Sequence, residues 1–188
     1  MKRTALFCLV ILSLVGCQKK VDEEQKPEPP TVPVKINLTN PGFESPLSSG
    51  WTIETTYKGQ YGFRQDTSAK LQGSYGLSFY AAQPNHYPGN PQETPWNGRI
   101  YQSLQNLKNG KYIFTVYGAA IGNGMYVYAN GGKDDYKLAF RTDQVERYQL
   151  EFEVTNGTAK VGLLCIDAGG PQMYAPFFRV DELELWTK

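Results

Sequence analysis

Cysteine is scarce in this chain, whose 188 residues contain only Cys8, Cys17 and Cys165. Beyond the first two of these, a single cysteine remains, so the rest of the chain has no intramolecular disulfide. Residues 34–188 must therefore rely on a hydrophobic core, and they are numerous enough to form one ordinary domain. Cys165 falls in the apolar run Val161–Ile166. It is predicted to be a small buried hydrophobe, with a reactive thiol as the alternative.

An excess of one charge is also absent. The chain has 19 lysines and arginines against 18 acidic residues, and Lys2 and Arg3 are two of the basic ones. A protein that binds a phosphate backbone carries a basic surface. The balance of charge therefore argues against nucleic acid as a partner.

Motifs that carry chemistry are missing as well. There is no Gly-x-Ser-x-Gly, no zinc-ligand spacing and no phosphate-binding loop. His86 is the only histidine, and it has no cysteine nearby. Glycoside hydrolysis needs two carboxylates set across a cleft, whereas the acidic residues here are scattered. The sequence therefore predicts a protein that is not an enzyme, with a glycan hydrolase as the weakest alternative.

A helical period is missing too. Short apolar or alternating segments rich in Tyr, Phe, Val and Ile are separated by turn residues, and the hairpin dipeptide Asn-Gly occurs five times. The predicted strands are Val34–Leu38, Trp51–Tyr57, Tyr61–Gln65, Tyr75–Ala81, Arg99–Leu104, Lys111–Ala119, Met125–Tyr128, Tyr136–Arg141, Tyr148–Val154, Ala159–Ile166 and Phe177–Trp186. Many short strands at this spacing predict an all-β sandwich or barrel.

Alternating residues in two of these strands assign side chains to the core or to the surface, because successive residues of a strand point to opposite sides. The expected core residues are Tyr112, Phe114, Val116, Leu150, Phe152 and Val154. The expected outward residues are Ile113, Thr115, Tyr117, Gln149, Glu151 and Glu153. The first three of the outward set are expected on an outer or groove face.

The N-terminus resembles the signal of a bacterial lipoprotein. Lys2 and Arg3 give a positive start, and Leu6–Val15 is an apolar run shorter than a membrane span. The tetrapeptide that ends at Cys17 resembles the lipobox. The resemblance implies that residues 1–16 are a signal peptide and that Cys17 is diacylated, which would hold the protein on a bilayer. A plain secretory signal with an incidental cysteine is the alternative.

The segment that follows Cys17 reads as a tether. Residues 17–33 contain four prolines and many charges but almost no apolar side chains, so they cannot bury enough surface to fold. The run Lys19–Glu24 resembles the acidic export signals of some Gram-negative lipoproteins, with an ordinary solvated linker as the alternative. This resemblance implies a lipid-anchored protein of the outer membrane at the cell surface.

A family resemblance extends over nearly all of residues 37–186. It rests on the motifs Asn40–Glu44, Gly50–Thr52, Gly73–Leu77, Tyr101–Leu104, Leu107–Phe114 and Phe178–Leu185. Their order and spacing resemble carbohydrate-binding modules of the CenC type, within the wider galactose-binding-like jelly rolls. The resemblance implies that residues 34–188 form a jelly-roll β-sandwich of two antiparallel sheets.

The resemblance also implies a structural Ca²⁺ that joins the first and last strands. Glu44 matches the metal-binding glutamate of these modules, Asp181 matches their C-terminal aspartate, and the backbone near Gly73 would add carbonyl ligands. Calcium prefers oxygen ligands of this kind. The alternative is that Glu44 caps a turn and that Asp181 is an exposed strand residue.

The longest irregular stretch, Gln83–Arg99, is the candidate ligand-binding loop, because long loops in compact domains are often functional. Trp96 is the first candidate for stacking on a sugar, with Tyr87, Asn97 and Arg99 as polar or aromatic partners. The alternative is a lid that packs Trp96 onto the sandwich.

Tyr126 and Tyr128 share one side of a predicted strand, and Tyr117 is expected to face the same way, so the three would line a groove. Ordinary cross-strand aromatic pairs are the alternative. Taken together, the residues and resemblances predict a monomeric module that binds poly- or oligosaccharide. A domain that binds protein partners at the cell surface is the main alternative.

Overall fold

The computed structural model of the chain describes residues 32–55, 62–80, 96–168 and 177–188. Four residues at strand ends, Tyr80, Trp96, Ala168 and Phe177, are described for their backbone only. The predictions on the signal peptide, Cys17, nearly all of the tether and Tyr87 lie outside these ranges. No helix in the described ranges is long and apolar enough to span a bilayer.

The described residues form eleven strands and no helix. The strands are β1 (Lys35–Ile36), β2 (Thr52–Thr55), β3 (Gly62–Asp66), β4 (Gly76–Tyr80), β5 (Trp96–Leu104), β6 (Gly110–Ile121), β7 (Met125–Asn130), β8 (Asp135–Ala139), β9 (Glu146–Val154), β10 (Ala159–Ala168) and β11 (Phe177–Thr187). Each of the eleven predicted segments overlaps one of them. The largest difference lies at β5, which begins three residues earlier than predicted.

The strands form two antiparallel sheets. One sheet has the order β3-β4-β11-β6-β9, with β1 paired to β11, and the other has the order β2-β5-β10-β7-β8. The neighbouring strands pair antiparallel in both. The prediction of an all-β protein with two antiparallel sheets is confirmed.

The core lies between the sheets, and the alternation of residues along the strands determines which side chains enter it. All six predicted core residues of β6 and β9 are buried, and the three outward residues of β9 are exposed. Thr115 differs from its prediction, because it is fully buried. Its hydroxyl has no hydrogen-bond partner in the described part of the chain, and Thr115 alternates with the core residues Phe114 and Val116, so its polarity misled the prediction of its exposure.

Cys165 packs in this core and is 1% exposed. Burial raises the pKa of its thiol well above the ordinary value. Because the thiolate is the nucleophilic form, such a thiol is inert. The prediction of a small buried hydrophobe is confirmed.

Both ends of the described sandwich lie at one end of the six-stranded sheet. The amide of Val34 donates to the Thr187 hydroxyl over 2.8 Å, and the amide of Thr187 donates to the Val34 carbonyl over 2.9 Å. The turn between β5 and β6 lies at the same end, because the Lys188 amide donates to the Lys111 carbonyl over 2.9 Å.

Candidate functional site

The side of the five-stranded sheet that faces away from the core carries a continuous set of polar and aromatic side chains. Ile100, Val127 and Leu163 point into the core, so their neighbours along each strand point outward. The outward residues used below are Glu54, Arg99, Tyr101, Tyr126, Tyr128, Asn130, Asp135, Lys137 and Lys160. We call this surface the outer tyrosine face.

Hydrogen bonds connect the first strand of this face to its last. Arg99 lies between Glu54 and Tyr128: its Nε donates to Glu54 Oε2 over 2.7 Å, and its Nη1 donates to the Tyr128 hydroxyl over 3.1 Å. The Tyr128 hydroxyl donates to Asp135 Oδ1 over 3.0 Å. The Tyr101 hydroxyl donates to Glu54. Five strands spaced by about 4.8 Å make this network roughly 19 Å wide.

The network fixes the protonation of its members. The hydrogen bond from Tyr101, and then that from Arg99, lower the pKa of Glu54, with smaller effects from the charges of Arg99 and Lys160. Burial, and then the hydrogen bond to Asp135, raise the pKa of Tyr128 to about 12. Glu54 is therefore a carboxylate at neutral pH, and Tyr128 is a neutral phenol.

The raised pKa of Tyr128 predicts a loss of stability in alkali. The unfolded chain releases this proton near pH 10 and the folded chain near pH 12, so the contribution is complete below pH 10 and is lost as pH rises between these values. We expect unfolding free energy to fall by about 1.4 kcal/mol per pH unit from this group. Urea unfolding of the wild type and Tyr128→Phe between pH 9 and 12 measures the difference in slope.

The control for this titration is Tyr75→Phe, which removes the hydroxyl of a tyrosine that is 39% exposed. The Tyr128 hydroxyl is retained in this variant, so the alkaline loss assigned to Tyr128 should persist in it. If Tyr128→Phe also keeps the wild-type slope, the assignment of the alkaline loss to Tyr128 is wrong.

Burial changes the predicted role of one tyrosine. Tyr128 is 1% exposed, so it does not present a ring face on which a sugar could stack. Its hydroxyl positions Arg99 instead. Tyr126 is half-buried, and the two tyrosines share one side of β7 as predicted. Between Tyr101 and Tyr128 lies Gly162, which pairs with both and has no side chain to separate them.

A cleft of about 380 Å³ lies at one end of the outer tyrosine face. It is lined by Glu54, Thr55, Asn97, Gly98, Arg99, Leu164, Cys165 and Ile166. Asn97 fixes its rim: its Nδ2 donates to Asp167 Oδ1 over 3.0 Å, and the Asp167 amide donates to its Oδ1 over 2.9 Å. The cleft lies at the beginning of β5, whereas the chain ends lie near the end of β5.

The structure places two residues of the predicted loop together at the cleft, and it places one of the three predicted tyrosines on the other sheet. Asn97 and Arg99 share the cleft, and the backbone of Trp96 pairs with Ala168 beside it. Tyr117 lies on β6 of the six-stranded sheet, where it pairs with Asp181 and Arg147. The prediction that Tyr117 faces the same way as Tyr126 and Tyr128 is wrong, because alternation along a strand does not reveal its sheet.

The two predicted calcium ligands both contact the turn at residues 71–75. Asp181 is fully buried, and its Oδ2 accepts hydrogen bonds from the amides of Leu71 (2.7 Å) and Gln72 (3.1 Å). Both carboxylate oxygens of Glu44 accept from the Ser74 amide over 3.0 Å. The alternative in which Asp181 is an exposed strand residue is therefore wrong, whereas Glu44 does cap a turn.

Glu182 adds a third carboxyl group at this corner, where burial, and then the charge of Asp181, raise its pKa. Among the described residues, however, no three His, Cys, Asp or Glu side chains are grouped to hold a metal. Glu44 and Asp181 offer the hard oxygen ligands that calcium prefers. They fit a calcium ion only if backbone carbonyls or water supply the remaining ligands.

Gly73 lies against the Glu44 carboxylate, and this contact gives a further prediction. Its φ is +62°, and a Cβ added there would stand 2.2 Å from Glu44 Oε1. Gly73→Ala should therefore lose about 1–2 kcal/mol through backbone strain, plus about 1–3 kcal/mol as Glu44 leaves its amide donors. The unfolding free energy in urea measures this loss.

Gly157→Ala is the matched control, because Gly157 has a φ in the same left-handed region (+74°) and the nearest atom to the added Cβ, Leu107 O, is 3.4 Å away, an ordinary contact distance. It should show the strain alone. Equal losses in the two variants would contradict the role of the Glu44 contact.

Sequence reasoning missed Glu54, Tyr101, Asp135, Lys137 and Lys160 as members of the candidate site. Their signal is weak, because each is an ordinary strand residue, and the neighbours of Glu54, Tyr101 and Lys160 come from distant parts of the chain. Glu54 and Arg99, for example, meet only through the pairing of β2 with β5. An alternating pattern could place each of them outward but could not show which strands were adjacent.

Comparison with solved structures shows the jelly-roll sandwich of carbohydrate-binding modules. TmCBM61, solved with β-1,4-galactotriose, is 17% identical over 79% of this chain and 96% of its own, with a TM-score of 0.54. A family 16 carbohydrate-binding module is 17% identical over 79% of this chain and 97% of its own, with a TM-score of 0.55. The enzymatically active domain of tailspike protein 4 of bacteriophage CBA120 is 13% identical over 80% of this chain and 20% of its own, with a TM-score of 0.51.

No known family matches the chain, and no curated protein matches its sequence. The structural likeness therefore establishes the fold, while function depends on the residues of the site.

Proposed function

We propose that the protein binds glycan without cleaving it, and that the outer tyrosine face with its cleft is the binding site. The observation that carries this proposal is the network from Glu54 through Arg99 and Tyr128 to Asp135. Fixed donors and acceptors beside aromatic rings suit a ligand that has many hydroxyl groups and apolar C–H faces. The binding of β-1,4-galactotriose by a module of the same fold is consistent with this use of the sandwich.

The protonation of the network favours binding over hydrolysis. A glycosidase needs one carboxyl group kept protonated by a raised pKa to act as a general acid. On the outer tyrosine face, Tyr101 and Arg99 lower the pKa of Glu54 instead. The described carboxyl group with a raised pKa, Glu182, belongs to the other sheet. A glycoside hydrolase is therefore the weaker candidate.

A glycan array tests this function directly. The purified full-length chain should bind a related set of glycans, and Trp96→Ala should weaken that binding if the ring of Trp96 stacks on the sugar. Binding that persists in Trp96→Ala would remove this residue from the site and leave the function intact. If the protein bound no glycan on the array, the result would contradict glycan binding and would favour a protein partner.

The proposal includes a structural calcium ion held by Glu44 and Asp181, because both carboxylates converge on the turn at residues 71–75. The ion would tie this turn to β11 and would take no part in ligand chemistry. We expect EDTA to lower the melting temperature, and excess calcium to restore it. An unchanged melting temperature after complete chelation would contradict the proposal.

The proposal further places the protein on a membrane through lipid at Cys17, with residues 17–33 as its tether and the cell surface of the outer membrane as its location. The lipobox-like sequence and the charged, proline-rich segment after it support this. Cys17→Ala should release the protein from the membrane fraction. A wild-type protein that is already soluble would contradict the anchor.

A further inference from the structure

We propose that the ligand of the outer tyrosine face is an anionic glycan, one that carries carboxylate or sulfate groups. This inference rests on the proposed function and names the class of sugar that the same site would select. It follows from two lysines on this face, from the carboxylates around them and from the rings beneath them.

Lys137 and Lys160 each hold an ammonium group over a tyrosine ring. Lys160 Nζ lies 4.5 Å from the centroid of the Tyr101 ring, and Lys137 Nζ lies 5.1 Å from that of Tyr126. Within the described ranges, neither lysine has a carboxylate oxygen within 4.0 Å. Neither lysine therefore forms a salt bridge on the face, although the charge of Lys160 is near enough to Glu54 to lower the pKa of that carboxyl.

The carboxylates of the same face are already engaged. Glu54 accepts from Arg99 and Tyr101, and Asp135 accepts from the Tyr128 hydroxyl and from Asn130 Nδ2 over 2.7 Å. A carboxylate that is held by such donors is not free to turn toward a lysine. An acidic group on the ligand would be the natural partner of the two ammonium groups.

The rings give the second argument. A cation over a ring occupies the face on which a sugar would stack. A neutral sugar that stacked on Tyr126 would have to displace the Lys137 ammonium group, whereas Tyr101 is 5% exposed and presents no ring face to a sugar. An acidic sugar could leave that contact in place and add a charge-assisted hydrogen bond. Both arguments favour the acidic class.

Matched polymers of equal backbone test the inference. The full-length chain is titrated with polygalacturonate and its methyl ester, and with dextran sulfate and dextran, in addition to the glycan array. We expect binding to an acidic member of a pair, weaker binding to its neutral counterpart, and a loss of affinity in high salt. The first pair shows whether the site selects carboxylate groups, and the second shows whether it selects sulfate groups.

The double variant Lys137→Gln/Lys160→Gln should lose at least about tenfold in affinity for the acidic glycan. Lys108→Gln/Lys111→Gln is the control, because it removes the same charge from two exposed lysines near the chain ends. The control should bind as the wild type does. An equal loss of affinity in the two double variants would show that only the net charge of the protein matters, and it would overturn the inference.

The remaining outcomes separate the inference from the function on which it rests. If neutral glycans bind as tightly as acidic ones, or if Lys137→Gln/Lys160→Gln binds acidic glycan as the wild type does, the inference is wrong while glycan binding stands. If neither class binds anywhere on the array, the proposed function fails and the inference fails with it.

Discussion

Asp181→Ala should destabilise the sandwich by about 3 kcal/mol or more, a large part of the stability of an ordinary domain, because a hydrogen bond to a charged group contributes about 1.5–3 kcal/mol. The carboxylate is fully buried and accepts hydrogen bonds from the amides of Leu71, Gln72 and Glu182. Removing it leaves part-buried amide donors without this acceptor and detaches the turn at residues 71–75 from β11. Urea unfolding in EDTA measures this loss without any contribution from calcium.

Asp181→Asn and Glu151→Ala complete the test of this carboxylate. Both oxygens of Asp181 accept from amides, so an Asn must turn its NH₂ group toward a donor, and it should lose stability too. Glu151→Ala removes an exposed carboxylate that pairs with Lys188 over 2.6 Å. That surface pair should contribute less than about 1 kcal/mol. If Asp181→Ala costs no more than Glu151→Ala, the role assigned to Asp181 is wrong.

Arg99→Met should reduce glycan affinity by about tenfold to a hundredfold, because it removes the charged donor at the centre of the outer tyrosine face. Methionine retains the apolar stem but cannot bond to Glu54 or Tyr128. The side chain of Arg99 is 30% exposed, so stability should change far less than affinity does. Titration with a glycan found on the array measures the affinity, and urea unfolding measures the stability.

Arg64→Met is the matched control for Arg99→Met. Arg64 also pairs with a carboxylate on an outward sheet surface, at 3.3 Å from Asp66, but it lies on the six-stranded sheet. Its removal should leave glycan binding unchanged. A comparable loss of affinity in both variants would show that the site does not lie on the outer tyrosine face.

The fold could be predicted because its signals are local. Each strand has its own alternation and is bounded by turn residues, so Leu150, Phe152 and Val154 could be assigned to the core without knowledge of their partners. Thr115 shows the limit of this reasoning. A single polar residue within a strand does not report what covers it.

The site could be predicted only in part, because its contacts are not local. Asn97 and Arg99 belonged to one conspicuous segment, and the structure places both at the cleft. Glu54 and Asp135 complete the network from strands that lie far away in the sequence, and strand order joins them. The prediction for Tyr117 was wrong for the same reason. Alternation along β6 assigned its side of the strand, but could not show that β6 belongs to the other sheet. The convergence of Glu44 and Asp181 on one turn came from the family resemblance.

If the proposed anchor holds the N-terminal side of the sandwich, the separation of the cleft from Val34 and Lys188 makes the sandwich a spacer. β5 runs from the cleft to the end where Val34 and Lys188 lie, and its nine residues extend over roughly 30 Å. Within the described sandwich, the cleft therefore lies about this distance from Val34, the residue nearest the proposed tether. A fluorophore placed at Lys188 would report on the attached end, and a ligand would be sensed only by a label beside Asn97.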